Sequence, residues 1–122
     1  VHNILDEIIP VFDAPDFHIG ADEVPYTLDS NPTLHNYAIS LGYSHANDLY
    51  RKFINDTNTH IKSKGKKTRI WAWFTRLPGT VAINNDIVYD AWLAENISSI
   101  SSSGFNIINS SCSWLYSVPG TS

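Results

Sequence analysis

Apolar residues along this chain change spacing repeatedly, from helical intervals to strand-like runs and back. Over Asn3–Phe12, Ile4, Leu5, Ile8, Ile9 and Phe12 fall at helical spacing, and Pro10 stops the helix by Ile9. Asp13-Ala14-Pro15 turns the chain into a short strand, Phe17–Ile19. Pro25–Pro32 is polar and turn-rich and reads as a long loop. A short helix is expected over Thr33–Gly42. A longer one follows, capped by Ser44 and running to Lys64, with Ala46, Leu49, Tyr50, Phe53, Thr57 and Ile61 on one face and Gly65 as its stop. β-Branched and aromatic residues predict a strand over Thr68–Phe74. Leu77-Pro78-Gly79 turns the chain, and Ile87–Trp92 is the next strand. Leu93–Ser103 reads as a weak, serine-rich helix, Phe105–Asn109 as a buried strand, and Ser110–Ser122 as a loop-like tail.

Strands that alternate with helices predict a parallel α/β architecture. With no internal repeat and no linker, residues 1–122 are expected to form a single domain. At 122 residues and 43% hydrophobic, the chain can bury one modest core. Its net charge of −4 offers no footprint for nucleic acid or for an anionic membrane. The basic cluster Lys62, Lys64, Lys66, Lys67 and Arg69 reads as a solvated helix end that complements the helix dipole. No apolar run approaches the ~20 residues of a membrane span. No signal-peptide pattern is present, although a chain that starts at Val1 could have lost one in processing. Cys112 is the only cysteine, so no internal disulfide or cysteine metal cluster is possible. Asn55, Asn96 and Asn109 head glycosylation sequons that matter only in a secreted eukaryotic protein.

The chemistry concentrates in Asp16–Val24, where Phe17 and Ile19 run into Gly20-Ala21 and then Asp22 and Glu23. Small residues before paired carboxylates suit a strand ending in a tight turn, where backbone and ligand can approach closely. Inside a strand adjacent side chains point to opposite faces; at its end the turning chain can aim both acids into one pocket. That suggests one acid that orients and one that gives up a proton. Most Asp-Glu pairs are solvated surface, so the surroundings must decide. A divalent-metal site built from Asp22, Glu23 and His18 has its acids too close in sequence and too few ligands. Neither metal nor cofactor is expected.

Phe17-His18-Ile19-Gly20-Ala21-Asp22-Glu23-Val24 resembles the His-x-Gly-Gly-Asp-Glu signature of the family 20 glycoside hydrolases, the β-N-acetylhexosaminidases and lacto-N-biosidases. It departs at Ala21, where most members carry a second glycine. The resemblance implies that these acids end the fourth strand of a (β/α)8 barrel. Later landmarks follow in the family's order: Thr68-Arg69-Ile70-Trp71-Ala72-Trp73, Asp86–Trp92, Gly104–Asn109 and Trp114-Leu115-Tyr116. The implied fold is a partial TIM barrel, about strands four to seven, since a closed barrel takes ~250 residues. The outer strands would be exposed edges, and the chain would need the rest of the barrel from the same or another chain.

The resemblance also implies substrate-assisted cleavage of terminal N-acetylhexosamine, an exception to the two-carboxylate rule. The sugar's acetamido oxygen attacks the anomeric carbon, and Glu23 acts as general acid and then as base. Asp22 holds the acetamido N–H, and its negative charge helps keep a proton on Glu23. His18 would orient the acids. Trp71 and Trp92, with Trp73 beside them, would wall the sugar. Of Trp114 and Tyr116, both near the slot of a family tyrosine, only Tyr116 has the phenol to bind the acetamido oxygen. Asp90 is either a pocket polar group or an ordinary strand acid. Four tryptophans and six tyrosines fit a sugar-stacking surface as well as a core. The alternative is a carbohydrate-binding remnant that keeps the aromatic walls and has lost catalysis. The expected location is extracellular or within the secretory pathway.

Overall fold

The computed structural model describes residues 1–93 and 97–115. Strands β1 (Asp16–His18), β2 (Lys67–Trp71), β3 (Val88–Ala91) and β4 (Asn106–Asn109) lie side by side in chain order, every pair parallel. Helices α1 (His2–Ile8), α2 (Pro32–Ser40), α3 (Asn47–Ser63), α4 (Ile97–Ser102) and α5 (Cys112–Leu115) accompany them along the chain. β1 and β4 are the outer strands, and β4 is less buried than its sequence suggests: Ile107 is half-buried and Ile108 is 38% exposed.

Register divides the sheet into two unlike faces. Ile70 pairs with Tyr89 and Tyr89 with Ile107, and this row packs with Ile54 of α3, Ile100 of α4, Phe74, Ile83 and Ile87 into the main core. A smaller cluster joins Leu5, Ile9 and Ile61, with Phe17 and Ile19 against it. On the other face the aligned row is His18, Arg69, Val88 and Asn106. Parallel sheets normally carry apolar side chains on both faces. Here one face mixes ionisable groups (His18, Arg69, Asp90) with Trp71 and Val88.

α3 spans 17 residues because Ile54, Thr57, Asn58 and Ile61 return to the same buried side at helical spacing. Ser44 does not cap it. The carboxylate of Asp29, in the 3-10 turn Leu28–Ser30 that precedes α2, accepts the Ala46 N–H and sits 3.0 Å from His45 Nδ1. Asn31 caps α2, its side-chain oxygen 3.1 Å from the N–H groups of Thr33 and Leu34. Downstream, the buried Asp48 carboxylate accepts the N–H groups of Thr80 and Val81 at 2.6 and 2.8 Å and so fixes the β2–β3 connection. Gly79 leaves room for Arg51 there: a Cβ would stand 2.4 Å from Arg51 Nε. Arg51 is itself committed to the carbonyls of Val81, Phe74 and Leu77 at 3.0–3.3 Å.

Two expectations change for local reasons. The strand expected over Thr68–Phe74 stops at Trp71, and Ala72–Arg76 forms a 3-10 turn that buries Trp73 and Phe74. Aromatic enrichment reflects fit to a half-buried surface, and these rings are buried by the turn instead of the pleat. Within the tail, Cys112–Leu115 is a short helix whose Leu115 N–H reaches Ser111 O at 2.8 Å.

Candidate active site

The C-terminal edge of the sheet gathers the chemistry. After β1, Ile19 N–H still bonds Arg69 O at 3.0 Å and Gly20 O accepts the Trp71 N–H at 2.9 Å. The chain then turns left-handed, with φ of 74° at Gly20, 68° at Ala21 and 53° at Glu23. Glycine takes this course freely; at Ala21 and Glu23 it costs about 1 kcal/mol each. Three side chains hold the strained segment. His18 Nδ1 accepts the Gly20 N–H at 3.0 Å, the Tyr50 hydroxyl donates to Ala21 O at 2.5 Å, and Trp73 Nε1 donates to Val24 O at 2.9 Å. Burial, then the charge of Asp22, pushes the Tyr50 phenol well above its usual range, so it remains a donor. Asp22 is half-buried, and its Oδ1 lies 3.5 Å from where a Cβ on residue 20 would stand. Glu23 is exposed.

Beside this turn runs a chain of aromatic rings. His18 lies 4.8 Å from Trp71, Trp71 6.0 Å from Trp92, Trp92 6.3 Å from Trp73, and Trp73 5.4 Å from Tyr26. The Trp92 indole N–H is buried and has no partner among the described residues. Such a surface can take the apolar face of a pyranose while polar groups read its hydroxyls.

The family model for the catalytic domain of glycosyl hydrolase family 20 matches residues 1–118. The chain belongs to that family. It is 34% identical over 93 residues to a lacto-N-biosidase of Bifidobacterium bifidum, a match covering 73% of this chain and 8% of that protein. It is 29% identical over 107 residues to a β-hexosaminidase of Vibrio furnissii, covering 86% and 17%. Among solved structures, the exo-β-N-acetylglucosaminidase of Vibrio harveyi in complex with N-acetylglucosamine aligns with a TM-score of 0.69 at 30% identity, over 87% of this chain and 16% of that one. The chitobiase of Flavobacterium johnsoniae, 20% identical over 87% of this chain and 17% of its own, shares the fold with a TM-score of 0.71. The four parallel strands and their helices are thus part of a family 20 TIM barrel, and the chain spans only a small share of the relatives it matches.

Of the residues singled out from the sequence, the fold brings together His18, Trp71, Trp73 and Trp92 beside the turn that carries Asp22 and Glu23. Trp114 stands apart on α5, 87% exposed and without a ring contact among the described residues, although Cys112 N–H ties the start of that helix to Trp92 O at 2.7 Å. Tyr116 lies outside the described residues. No cluster of His, Cys, Asp or Glu suited to a metal occurs among the described residues.

Asp90 is far from an ordinary strand acid. It is 1% exposed, accepts from Arg69 Nη2 at 2.7 Å, Arg69 Nε at 3.1 Å and Ser110 Oγ at 3.2 Å, and its Oδ2 lies 3.2 Å from His18 Nε2. Because Nδ1 of His18 accepts from Gly20, a neutral ring carries its proton on Nε2, the nitrogen 3.2 Å from Asp90 Oδ2. Burial is the largest influence on His18 and lowers its pKa; Arg69 adds to that, while Asp90 and Asp22 oppose it. Arg69 thus lies at the candidate site, although its sequence neighbours suggest a solvated helix end. Strand alternation held the missing signal: Arg69 shares a face with Trp71, and Asp90 with Trp92. Tyr50, read as a helix-face apolar residue, is the other group missed.

Proposed function

We propose that this chain carries the acid pair of a hydrolase acting on terminal N-acetylhexosamine, or on a disaccharide containing it, within a longer chain that supplies the remaining strands. The observation that carries the reading is the left-handed turn ending β1. It places Asp22 and Glu23 at the sheet's C-terminal edge, where barrel enzymes build their sites, with Trp71, Trp73 and Trp92 alongside. Family membership and the N-acetylglucosamine bound in the Vibrio harveyi structure support the substrate class.

In this mechanism the acetamido oxygen of the substrate attacks its own anomeric carbon while the bond to the leaving oxygen breaks. Glu23 protonates that oxygen, and Asp22 accepts the acetamido N–H and stabilises the positive charge of the oxazolinium intermediate. Glu23, now ionised, takes a proton from water as the water opens the ring, and the anomeric configuration is retained. The chain therefore contributes no nucleophile.

The test is turnover of an aryl N-acetylglucosaminide by the full-length natural protein that carries this sequence. Glu23→Gln should lower kcat by at least ~10²-fold. Undiminished turnover overturns the reading. Sugar binding without turnover, insensitive to Glu23→Gln but lost on Trp71→Ala or Trp92→Ala, identifies a carbohydrate-binding remnant instead.

A further inference from the structure

We propose that Arg69 and Asp90 are positioning residues for the acid pair: together they keep His18 neutral with its proton on Nε2, so that Nδ1 can hold the Gly20 N–H and with it the left-handed turn. The proposal rests on the assignment of Asp22 and Glu23 above, and it concerns two residues whose hydrogen bonds and ion pairs among the described residues do not include either acid. The geometry is a relay across three strands. Arg69 on β2 grips Asp90 on β3 with Nε and Nη2, Asp90 Oδ2 faces His18 Nε2 at the end of β1, and His18 Nδ1 meets Gly20 N at 3.0 Å.

Neither partner alone would serve. A buried carboxylate against an imidazole favours imidazolium. A second proton would settle on Nδ1, which would then confront the Gly20 N–H donor to donor, and the bond that holds the turn would be lost. Arg69 prevents this by spreading its fork over both oxygens of Asp90 and neutralising the charge the ring would otherwise answer. Ser110 Oγ at 3.2 Å helps fill the remaining lone pairs of Asp90. The groups acting on His18 are Asp90 from β3, Arg69 from β2 and Asp22 from its own turn, with the Trp71 ring packed at 4.8 Å; Asp16 of β1 acts on Arg69. Among them Asp90 and Asp22 favour the second proton, and burial and Arg69 oppose it.

The two variants must therefore move His18 in opposite directions. In the full-length natural protein, Arg69→Gln should raise the acidic limb of the kcat/KM profile by about 1 pH unit, whatever it does to the rate above that limb. Arg69→Lys, which retains the charge, should return the limb toward wild type. Asp90→Asn should lower the His18 titration, followed by NMR of isotope-labelled histidine, and reduce kcat at every pH because the ring loses its anchor. A uniform loss in Arg69→Gln with the limb unmoved makes Arg69 merely structural and overturns the proposal. Should Arg69→Gln fail to fold, an unchanged or raised His18 titration in Asp90→Asn overturns it equally. If the wild-type protein does not turn over the sugar, the functional reading fails by itself, and the His18 titrations still judge the relay.

Discussion

Removing the Tyr50 hydroxyl tests whether the strained turn is held in place or merely happens to be there. Ala21 and Glu23 sit at φ 68° and 53°, so the segment stores about 2 kcal/mol that its surroundings must oppose. The Tyr50 hydroxyl meets Ala21 O at 2.5 Å from a half-buried position. A bond of this kind contributes about 1 kcal/mol, and more when its loss leaves a half-buried carbonyl unmet. Tyr50→Phe therefore removes stabilisation of the same order as the strain at Ala21, and leaves the other two clamps, from His18 and Trp73, in place. The turn should shift partly to other conformers, and kcat/KM should fall about 5-fold, the factor that 1 kcal/mol produces. The mechanism makes a sharper demand on a second substitution. Glycine at residue 21 needs no clamp, so Ala21→Gly introduced into Tyr50→Phe should recover most of the lost activity. Steady-state kinetics on the full-length natural protein, with urea denaturation alongside, reads both effects. An unchanged kcat/KM in Tyr50→Phe, or a double variant no better than the single one, refutes the strain argument and leaves Tyr50 a core residue.

Two further outcomes concern the scaffold beneath the turn. Asp48 accepts two backbone N–H groups and the Thr80 hydroxyl, so Asp48→Asn should cost about 2 kcal/mol in urea denaturation. Burial works against its ionisation, but the bonds from Val81 and Thr80 outweigh it and hold the carboxyl below its usual pKa of 3.8. With the folded value below the unfolded one, that stabilisation is complete above the ordinary carboxylate range and is lost as pH falls through the folded value. Asp48→Asn should flatten this acid limb; an unaltered limb would assign it to other carboxylates. Gly79→Ala drives a methyl to 2.4 Å from Arg51 Nε and forces Arg51 off its three carbonyls, which should cost about 1–3 kcal/mol. A loss below 0.5 kcal/mol would mean that Arg51 relaxes freely.

Much of the scaffold was legible because periodicity and burial coincide in it. Ile54 and Ile61 repeat at helical spacing on α3, Gly65 follows it, and the strands around Ile70 and Tyr89 are rich in β-branched and aromatic residues. The sequence reading failed where a distant group decides a local matter. Asp29, not Ser44, supplies the carboxylate at the start of α3, and no local rule reports an acid 17 positions upstream. Trp73 looks like strand by propensity, yet its indole is drawn to Val24 O, a contact 49 positions apart. Arg69 was hidden by its neighbours: four lysines nearby made it look like one more solvated charge, although its parity in β2 set it beside Trp71. The candidate acid pair is marked by a local motif; the groups that hold the turn are not, because their partners lie on other elements.

The division of the sheet into an oily side and a side of mixed charges and aromatic rings makes this barrel segment intolerant of changes in length. Ile70 stands between Arg69 and Trp71, and Tyr89 between Val88 and Asp90, so core and site are interleaved at every step along β2 and β3. Deleting one residue from either strand would push an isoleucine or a tyrosine toward the candidate site and drive a guanidinium or a carboxylate among the helices. Natural variation in this region should therefore come as swaps at fixed positions, and gaps should be confined to the connections.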